Sequence, residues 1–206
     1  AKTGEPLWNF DPIPRDDTDS AAATWINGGN HTTGSANVWS PMVVDEARDM
    51  VFMATSSPAP DLYGGNRHGD NRYADSLVAL RGQTGEVIWH YQLVHHNLWD
   101  YDVSAPPMLV DLPHEGKIVP AVVQATKFGL VFVFHRETGE PLFPIEERPV
   151  PKGDIEGEWY SPTQPFPVKP APLIRHELKP EQAWGFTFWD RKGCRESISK
   201  LRHEGA

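Results

Sequence analysis

Residues 95–102 gather the side chains of this chain that are best suited to chemistry. The run is His95-His96-Asn97-Leu98-Trp99-Asp100-Tyr101-Asp102, with two imidazoles, an indole and two carboxylates. A carboxylate in a partly dry loop can accept a proton from a substrate hydroxyl. Because the flanking segments are typical of ordinary strands, we expect an active-site loop here. The alternative for Asp100 is a turn aspartate that caps a backbone N–H.

The other polar residues of the run are expected to support it. Adjacent residues of an extended chain point to opposite faces, so His95 and His96 are poorly placed to share a metal ion. We expect them to order the loop through hydrogen bonds or to contact the substrate, and Asp102 to be a supporting residue. Cys194 is the one cysteine, which excludes an internal disulfide and a cysteine-based zinc site. We expect its side chain to be buried.

A short repeat indicates which elements position this loop. Thr-Gly-Glu is followed by an aliphatic residue and then an aromatic one at three places, namely Thr3–Phe10, Thr84–Tyr91 and Thr138–Phe143. Thr-Gly suits a tight turn in which glycine takes positive φ, and the alternating residues after it suit a half-buried strand. We therefore expect each copy to mark a hairpin, with Trp8 and Trp89 in structural roles.

Two further strand patterns precede each complete hairpin, which predicts units of four antiparallel strands. Such repeated units are typical of β-propeller blades, and the alternative is a β-sandwich with coincidental turns. The expected organisation is the end of a preceding blade at 1–11, blades at 38–92 and 105–145, a proline-rich surface wrap at 146–182 and the start of a further blade at 183–206. Two blades cannot close a ring, so we expect part of a larger propeller.

Insertions and prolines shape the rest of the chain. Segments 11–37 and 56–75 are polar and rich in Gly or Pro, and nine prolines lie between 141 and 172. These prolines predict an extended wrap with little regular structure, anchored by aromatic residues. Residues 183–190 are predicted to begin a strand.

The composition excludes several function classes. The net charge is −9, from 19 basic and 28 acidic residues, so the chain lacks the clustered cations of a nucleic-acid-binding surface. Its longest apolar runs, such as 129–134, are too short to span a membrane. Twenty prolines and 17 glycines favour a turn-rich all-β chain.

The Thr-Gly-x-x-x-Trp repeats resemble the tryptophan-docking motifs of the pyrroloquinoline quinone (PQQ) dehydrogenases. Further motifs occur in the order found in membrane-bound quinoprotein glucose dehydrogenases: Pro60–Arg67, Val94–Asp100, Gln124–Gly129, Arg136–Glu140 and Pro162–Phe166. The resemblance covers nearly the whole chain. It implies an eight-bladed propeller, PQQ near its axis with a Ca²⁺ or Mg²⁺ ion, and an enzyme on the periplasmic side of the inner membrane that passes electrons to ubiquinone. A membrane anchor would lie outside this chain.

The resemblance also implies roles for single residues. Asp100 matches the catalytic base, and Lys127 matches the cation beside the reactive quinone carbonyl. Trp39 matches the indole beneath the cofactor, with Asn37 next to it as a cofactor-binding candidate, although a core tryptophan is the open alternative. For the metal ion the candidates are Ser57 and Asp100, and the family's other ligands would precede Ala1.

The sequence therefore predicts part of a PQQ-dependent dehydrogenase that oxidises an aldose such as glucose at C1 to the lactone. We expect the chain to be inactive without the remaining blades. The alternatives are a PQQ-dependent alcohol or polyol dehydrogenase, and a non-catalytic propeller scaffold. A scaffold would have no reason to combine Asp100, Lys127 and Trp39.

Overall fold

The first sheet forms between residues 43 and 92. A computed structural model of the chain describes residues 3–201. Its first sheet has four antiparallel strands in sequential order: β1 Val43–Asp45, β2 Met50–Ala54, β3 Ser76–Arg81 and β4 Val87–Gln92. The 3₁₀ turn Glu46–Arg48 joins β1 to β2, and Asp45 Oδ1 caps it by accepting from Arg48 N at 3.2 Å. All four strand patterns predicted for this unit form strands, although β1 begins five residues after the predicted start at Val38.

The second sheet has three strands where the sequence predicted four. They are β5 Met108–His114, β6 Lys117–Ala125 and β7 Val131–His135, again antiparallel and in sequential order. The predicted fourth strand is reduced to a single bridge between Phe134 and Pro141. Pro141 and Pro144 lack the N–H groups that a continued ladder needs, which explains the difference.

The Thr-Gly-Glu copies at 84–86 and 138–140 form the tight turns that the repeat predicted. Gly85 has φ +73° and its N–H donates to the carbonyl of Arg81 at 2.8 Å. Gly139 has φ +72° and donates to the carbonyl of His135 at 2.9 Å. Only the first of these turns leads into a full strand.

Each docking tryptophan contacts the turn of the following unit. The Trp8 indole N–H donates to the carbonyl of Gly82 at 2.9 Å, and that of Trp89 donates to the carbonyl of Arg136 at 3.0 Å. A Cβ on Gly139 would lie only 2.6 Å from Trp89 Cδ2, so glycine is needed beneath the ring. Trp89 thereby joins the first sheet to the second.

The main core lies between the two sheets and is aromatic. Its largest fully buried side chains include Phe52 and Leu77 of the first sheet and Phe132 and Phe134 of the second. At its margin Asp45 of β1 accepts from Arg136 Nη1 at 2.9 Å. Apolar burial and this ion pair both hold the two blades together.

The proline-rich stretch contains more regular structure than predicted. Strands β8 Ile145–Pro149 and β9 Thr163–Pro167 pair antiparallel into a two-stranded sheet. A two-stranded sheet has only edge strands, which tolerate prolines because one side of each strand needs no donor. Phe166 is buried in the main core, so the expected aromatic anchoring is present.

The insertion at 11–37 contains short helical segments rather than strands. They are the 3₁₀ turns Ala22–Thr24 and Ile26–Gly28 and the one-turn helix α1 Gly29–Thr32. Trp25 of this insertion is buried, and its indole N–H donates to the carbonyl of Arg72 at 3.0 Å. The insertion is thereby tied to the second insertion at 56–75.

The chain divides between Pro172 and Leu173 into two compact units. The second unit contains the 3₁₀ turn Pro180–Gln182 and helix α2 Phe188–Ile198. The predicted strand at 183–190 was wrong, because Thr187 Oγ1 accepts from Asp190 N at 3.2 Å and starts a helix in the manner of an N-cap. Cys194 lies exposed on α2, so its predicted burial was also wrong.

Residues 3–201 include no helix with the length and apolar character needed to cross a bilayer.

Candidate active site

The predicted active-site loop crosses from the first sheet to the second. It lies between the end of β4 at Gln92 and the start of β5 at Met108 and has no regular secondary structure. Asp100 has φ +55° and His96 has φ +45°. Left-handed backbone is uncommon for residues other than glycine, and it persists where surrounding contacts hold it.

Asp100 and Lys127 form the central contact of the site. Lys127 extends from the turn between β6 and β7, and its Nζ lies 2.8 Å from Asp100 Oδ2 and 2.6 Å from the Asp100 carbonyl oxygen. The two side chains are 43% and 44% exposed. The hydrogen bond from Lys127 lowers the pKa of the Asp100 carboxyl, and the same contact raises the pKa of Lys127. Both groups are therefore charged at neutral pH.

Asp102 lies next to this pair. Its Oδ2 lies 3.9 Å from Lys127 Nζ, and its Oδ1 accepts from the backbone N–H of Ser57 at 2.8 Å. Burial raises the pKa of the Asp102 carboxyl, and the neighbouring Asp100 adds to this. Asp102 thus ties the loop to the segment that begins the second insertion.

A buried polar cluster lies beneath the loop, and the sequence did not reveal it. Asn97 donates to Ser57 Oγ at 2.6 Å and to Asp75 Oδ1 at 2.8 Å, while Ser57 Oγ donates to Asp75 Oδ1 at 3.2 Å. Burial raises the pKa of Asp75 to about 8, so this carboxyl is largely neutral at pH 7. Arg67, fully buried, donates to the carbonyl of Asn97 at 2.7 Å. The Pro60–Arg67 motif was the available signal for Arg67; Asp75 had none.

The two histidines order the loop and contact different partners. His96 is buried; its Nδ1 donates to the carbonyl of Gly69 at 2.7 Å, and its Nε2 lies 3.1 Å from Glu158 Oε1. His95 contacts Gln92 at 3.0 Å and Glu147 at 3.1 Å. Both histidines therefore make hydrogen bonds that order the loop, which was one of the two alternatives.

The proline-rich stretch contributes directly to this ordering. Glu158 is buried, and its Oε2 accepts from the backbone N–H of Gly64 at 2.7 Å. The ring of Trp159 meets His96 edge-on, with centroids 4.7 Å apart. Gln164 exchanges two hydrogen bonds with the backbone of His95, at 2.8 and 2.6 Å. The sequence predicts only a general anchoring role for the aromatic residues of this stretch. It assigns no role to Glu158, or to Gln164 within the Pro162–Phe166 motif.

Of the two cofactor-binding candidates, Asn37 contacts the start of the second insertion, and Trp39 follows it two residues later in the chain. Trp39 is 56% exposed in this part of the propeller. Asn37 Oδ1 accepts from Ser56 Oγ at 3.1 Å, and its carbonyl accepts from Ser56 N at 3.0 Å. An exposed indole suits a planar quinone, and the Lys127 ammonium suits the negative charge of a quinone such as PQQ.

The metal candidates fit less well. A hard divalent cation takes six or more oxygen ligands. The Ser57 hydroxyl is buried and turned towards Asn97 and Asp75, so these contacts do not favour it as a ligand. Within residues 3–201 no three His, Cys, Asp or Glu side chains group so that they could hold a metal ion. Asp100 is the remaining candidate in this part of the chain.

Known proteins resemble this chain along its whole length. The family model described as the β-propeller domain of PQQ glucose/ethanol/alcohol dehydrogenases matches residues 1–206. The chain is 38% identical over 210 residues to the quinoprotein glucose dehydrogenase of Escherichia coli (strain K12), covering 98% of the chain and 25% of that protein. It is 40% identical over 198 residues to a probable quinate dehydrogenase (quinone) of Xanthomonas campestris pv. juglandis, covering 95% and 25%.

A solved structure agrees with these matches. The quinohemoprotein alcohol dehydrogenase from Comamonas testosteroni aligns with a TM-score of 0.61 at 28% identity, covering 81% of the chain and 26% of that structure. The chain thus spans about a quarter of the length of the curated relatives it matches. Its antiparallel sheets and this likeness confirm the predicted fold class, a partial set of propeller blades. The chain belongs to the family of PQQ-dependent glucose/ethanol/alcohol dehydrogenases, as part of their β-propeller domain.

Proposed function

We propose that this chain is part of a quinoprotein dehydrogenase that oxidises an aldose such as glucose at C1 to the lactone, with PQQ as cofactor. The observation that carries the proposal is the contact between Lys127 and Asp100, at 2.8 Å, on the crossing between two blades. An ion pair on the surface contributes little to stability. The gain in stability alone therefore does not explain why this strained loop contains one.

Asp100 is the proposed base. It is ionised at neutral pH because Lys127 lowers its pKa, and its carboxylate is half-exposed, so a substrate hydroxyl can reach it. When bound, PQQ would supply the carbonyl carbon, C5, that accepts hydride from the substrate carbon. Asp100 takes the hydroxyl proton as the C–H bond breaks.

Lys127 is the proposed electrostatic partner. An ammonium has three N–H donors, and two of them are directed at the Asp100 carboxylate and carbonyl oxygens. The third can donate to a ligand oxygen that gains negative charge, as in an oxyanion hole. As that bond strengthens, the bond to Asp100 weakens, and the carboxylate becomes a better proton acceptor. Base and cation thus work together.

We assign no step to a metal ion. Ca²⁺ or Mg²⁺ would take oxygen ligands, and residues 3–201 offer Asp100 but no complete set. The family resemblance supports ubiquinone as the electron acceptor and the periplasmic side of the inner membrane as the location, and both belong to this proposal. The remaining propeller blades of the full-length protein complete the site.

An alcohol or polyol dehydrogenase is the second candidate. The relatives named above include dehydrogenases described for glucose, quinate and alcohol, so the family alone does not select the substrate. The double histidine and the Pro162–Phe166 motif favour the glucose type, since both resemble that branch. The scaffold alternative is disfavoured by the contact between Asp100 and Lys127.

The test uses the full-length protein, loaded with PQQ and with Ca²⁺ or Mg²⁺. Dye reduction is measured with glucose, glycerol and quinate, and the glucose product is identified. Turnover of glucose to the lactone supports the proposal. If only glycerol or quinate is turned over, that compound would replace the aldose as the proposed substrate. Absence of PQQ binding and of all turnover would favour the scaffold.

A further inference from the structure

Asn97 is hydrogen-bonded on both sides of the proposed base. Its Oδ1 accepts from the backbone N–H of Trp99 at 2.9 Å and from that of Tyr101 at 3.2 Å. These residues immediately precede and follow Asp100 in the chain. The turn that presents the carboxylate is therefore built around a single side-chain oxygen.

The other end of Asn97 is fixed in the buried cluster. Its Nδ2 donates to Ser57 Oγ at 2.6 Å and to Asp75 Oδ1 at 2.8 Å, so both donors and both acceptor positions of the amide are used. Arg67 Nη2 donates to the backbone carbonyl of Asn97 at 2.7 Å. Asn97 is 1% exposed and Arg67 is fully buried, so water does not compete for these bonds.

These contacts explain how Asp100 keeps its conformation. Its φ of +55° is sparsely populated for an aspartate and needs support from neighbouring groups. The hydrogen bonds that Asn97 Oδ1 accepts fix the amides before and after Asp100, and the bond that Lys127 donates fixes the Asp100 carbonyl. Without Asn97, the two flanking amides would lose their acceptor, and the carboxylate would no longer be directed at Lys127.

We propose that Asn97 is the positioning residue of this site, which acts through Asp100 and does not touch the substrate. The inference rests on the proposed function, because it assumes that Asp100 is the base. No other side chain of this length has two donors and two acceptor positions. Aspartate keeps the acceptors but loses both donors, and alanine loses all four.

The test compares variants of the full-length protein loaded with PQQ. In Asn97→Ala we expect kcat to fall on the order of 100-fold while KM stays within about twofold, since misplacement of a reacting group has this cost. Hydrogen exchange of the peptide covering residues 98–104 supplies a readout that is independent of turnover. The amides of Trp99 and Tyr101 should lose protection in Asn97→Ala and keep most of it in Asn97→Asp, which should recover part of kcat.

Asn30→Ala is the matched control. Asn30 is also a buried amide, and its Nδ2 donates to the carbonyl of Pro14 at 2.9 Å and to Asp17 at 3.0 Å, with no bond to the active-site loop. This variant should lose stability without change in kcat or in exchange at 98–104. A general loss of stability would instead lower kcat in both variants.

Three outcomes would overturn the inference. The first is a native kcat in Asn97→Ala, and the second is a loss of kcat in Asn97→Ala while the amides of Trp99 and Tyr101 stay fully protected. The third is an Asn97→Asp variant with kcat and amide protection as low as in Asn97→Ala. If Asn97→Ala does not fold, kcat and the protection of the same two amides are compared between Asn97→Asp and the native protein. If Asp100→Asn is inactive while Asn97→Ala is normal, only the positioning role fails; if Asp100→Asn turns over normally, the proposed function fails.

Discussion

Lys127 Nζ contacts Asp100 twice, at 2.8 Å to the carboxylate oxygen Oδ2 and at 2.6 Å to the backbone carbonyl oxygen. Lys127 lies in the turn between β6 and β7 of the second sheet, and Asp100 lies on the crossing from the first sheet. The ammonium thus sets both the direction of the carboxylate and the position of the backbone that bears it. The relative placement of the two blades therefore determines the geometry of the proposed base.

The first prediction concerns Lys127. Lys127→Ala in the full-length protein should slow cofactor reduction in a single-turnover experiment by about 10²–10³-fold, the usual cost of losing one donor to a developing negative charge. Lys179→Ala is the control, because Lys179 forms an exposed pair with Glu177 at 3.3 Å in the other unit. An unchanged single-turnover rate in Lys127→Ala would remove its proposed role.

The second prediction concerns the docking of Trp89 on Gly139. Trp89→Ala should lower the free energy of unfolding by about 3–5 kcal/mol, as for other buried aromatic residues, because it removes core packing and the bond to Arg136. Gly139→Ala should also destabilise, since φ is +72° and the added Cβ would lie 2.6 Å from Trp89 Cδ2. Equilibrium unfolding in urea measures both.

The double variant separates the clash from backbone strain. In Trp89→Ala the ring is gone, so adding Gly139→Ala should cost about 1–2 kcal/mol, the cost of left-handed backbone alone. Gly116→Ala provides the reference, because Gly116 has φ +77° with nothing within 4 Å of the added Cβ. Strict additivity in the cycle would show that Gly139 is not required beneath the ring.

The third prediction concerns the pH dependence of stability at His90. Burial, and then the charge of Arg72, lower the pKa of His90 from 6.5 to about 4. Arg72 Nε lies 2.9 Å from His90 Nε2, and the ring of Tyr73 meets the imidazole edge-on at 4.9 Å. Between pH 6.5 and 4 the unfolded chain binds a proton that the native chain does not. Stability should therefore fall as the pH falls through this window, by up to roughly 3 kcal/mol.

His90→Gln tests this assignment. Glutamine retains an acceptor for Arg72 but cannot be protonated in this range. The difference in free energy of unfolding between pH 7 and pH 4.5 should be smaller in the variant than in the native protein. Equal pH dependence in the two proteins would show that His90 is not responsible.

The fold was predictable as far as the repeat extended. Thr-Gly-Glu with its aromatic residue encodes a turn and a docking contact locally, and both appear at Gly85 and Gly139. The prediction was wrong at 183–190, because the strand pattern of apolar residues was outweighed by a helix cap at Thr187. The prolines of the stretch 141–172 predict little regular structure, yet β8 and β9 pair because an edge strand tolerates proline.

The site was predictable only for residues with a motif. The resemblance named Asp100 and Lys127, and the structure brings them into contact. Asn97 lies within the eight-residue run, yet its role depends on Ser57 and Asp75, which are distant in sequence. Ser57 was expected only as a metal ligand, and Asp75 has no pattern of its own. Long-range hydrogen bonds of this kind depend on the tertiary fold, so the local spacing of residues in the sequence does not predict them.

Asp100→Asn, in the full-length protein loaded with PQQ, tests whether Asp100 is the base. The amide can still accept a hydrogen bond from Lys127 but cannot take a proton from the substrate. We expect the absorbance of bound PQQ to be retained and turnover to fall by about 10²–10⁴-fold, the usual contribution of a general base. Turnover at the native rate with PQQ bound would contradict the central claim that Asp100 is the base.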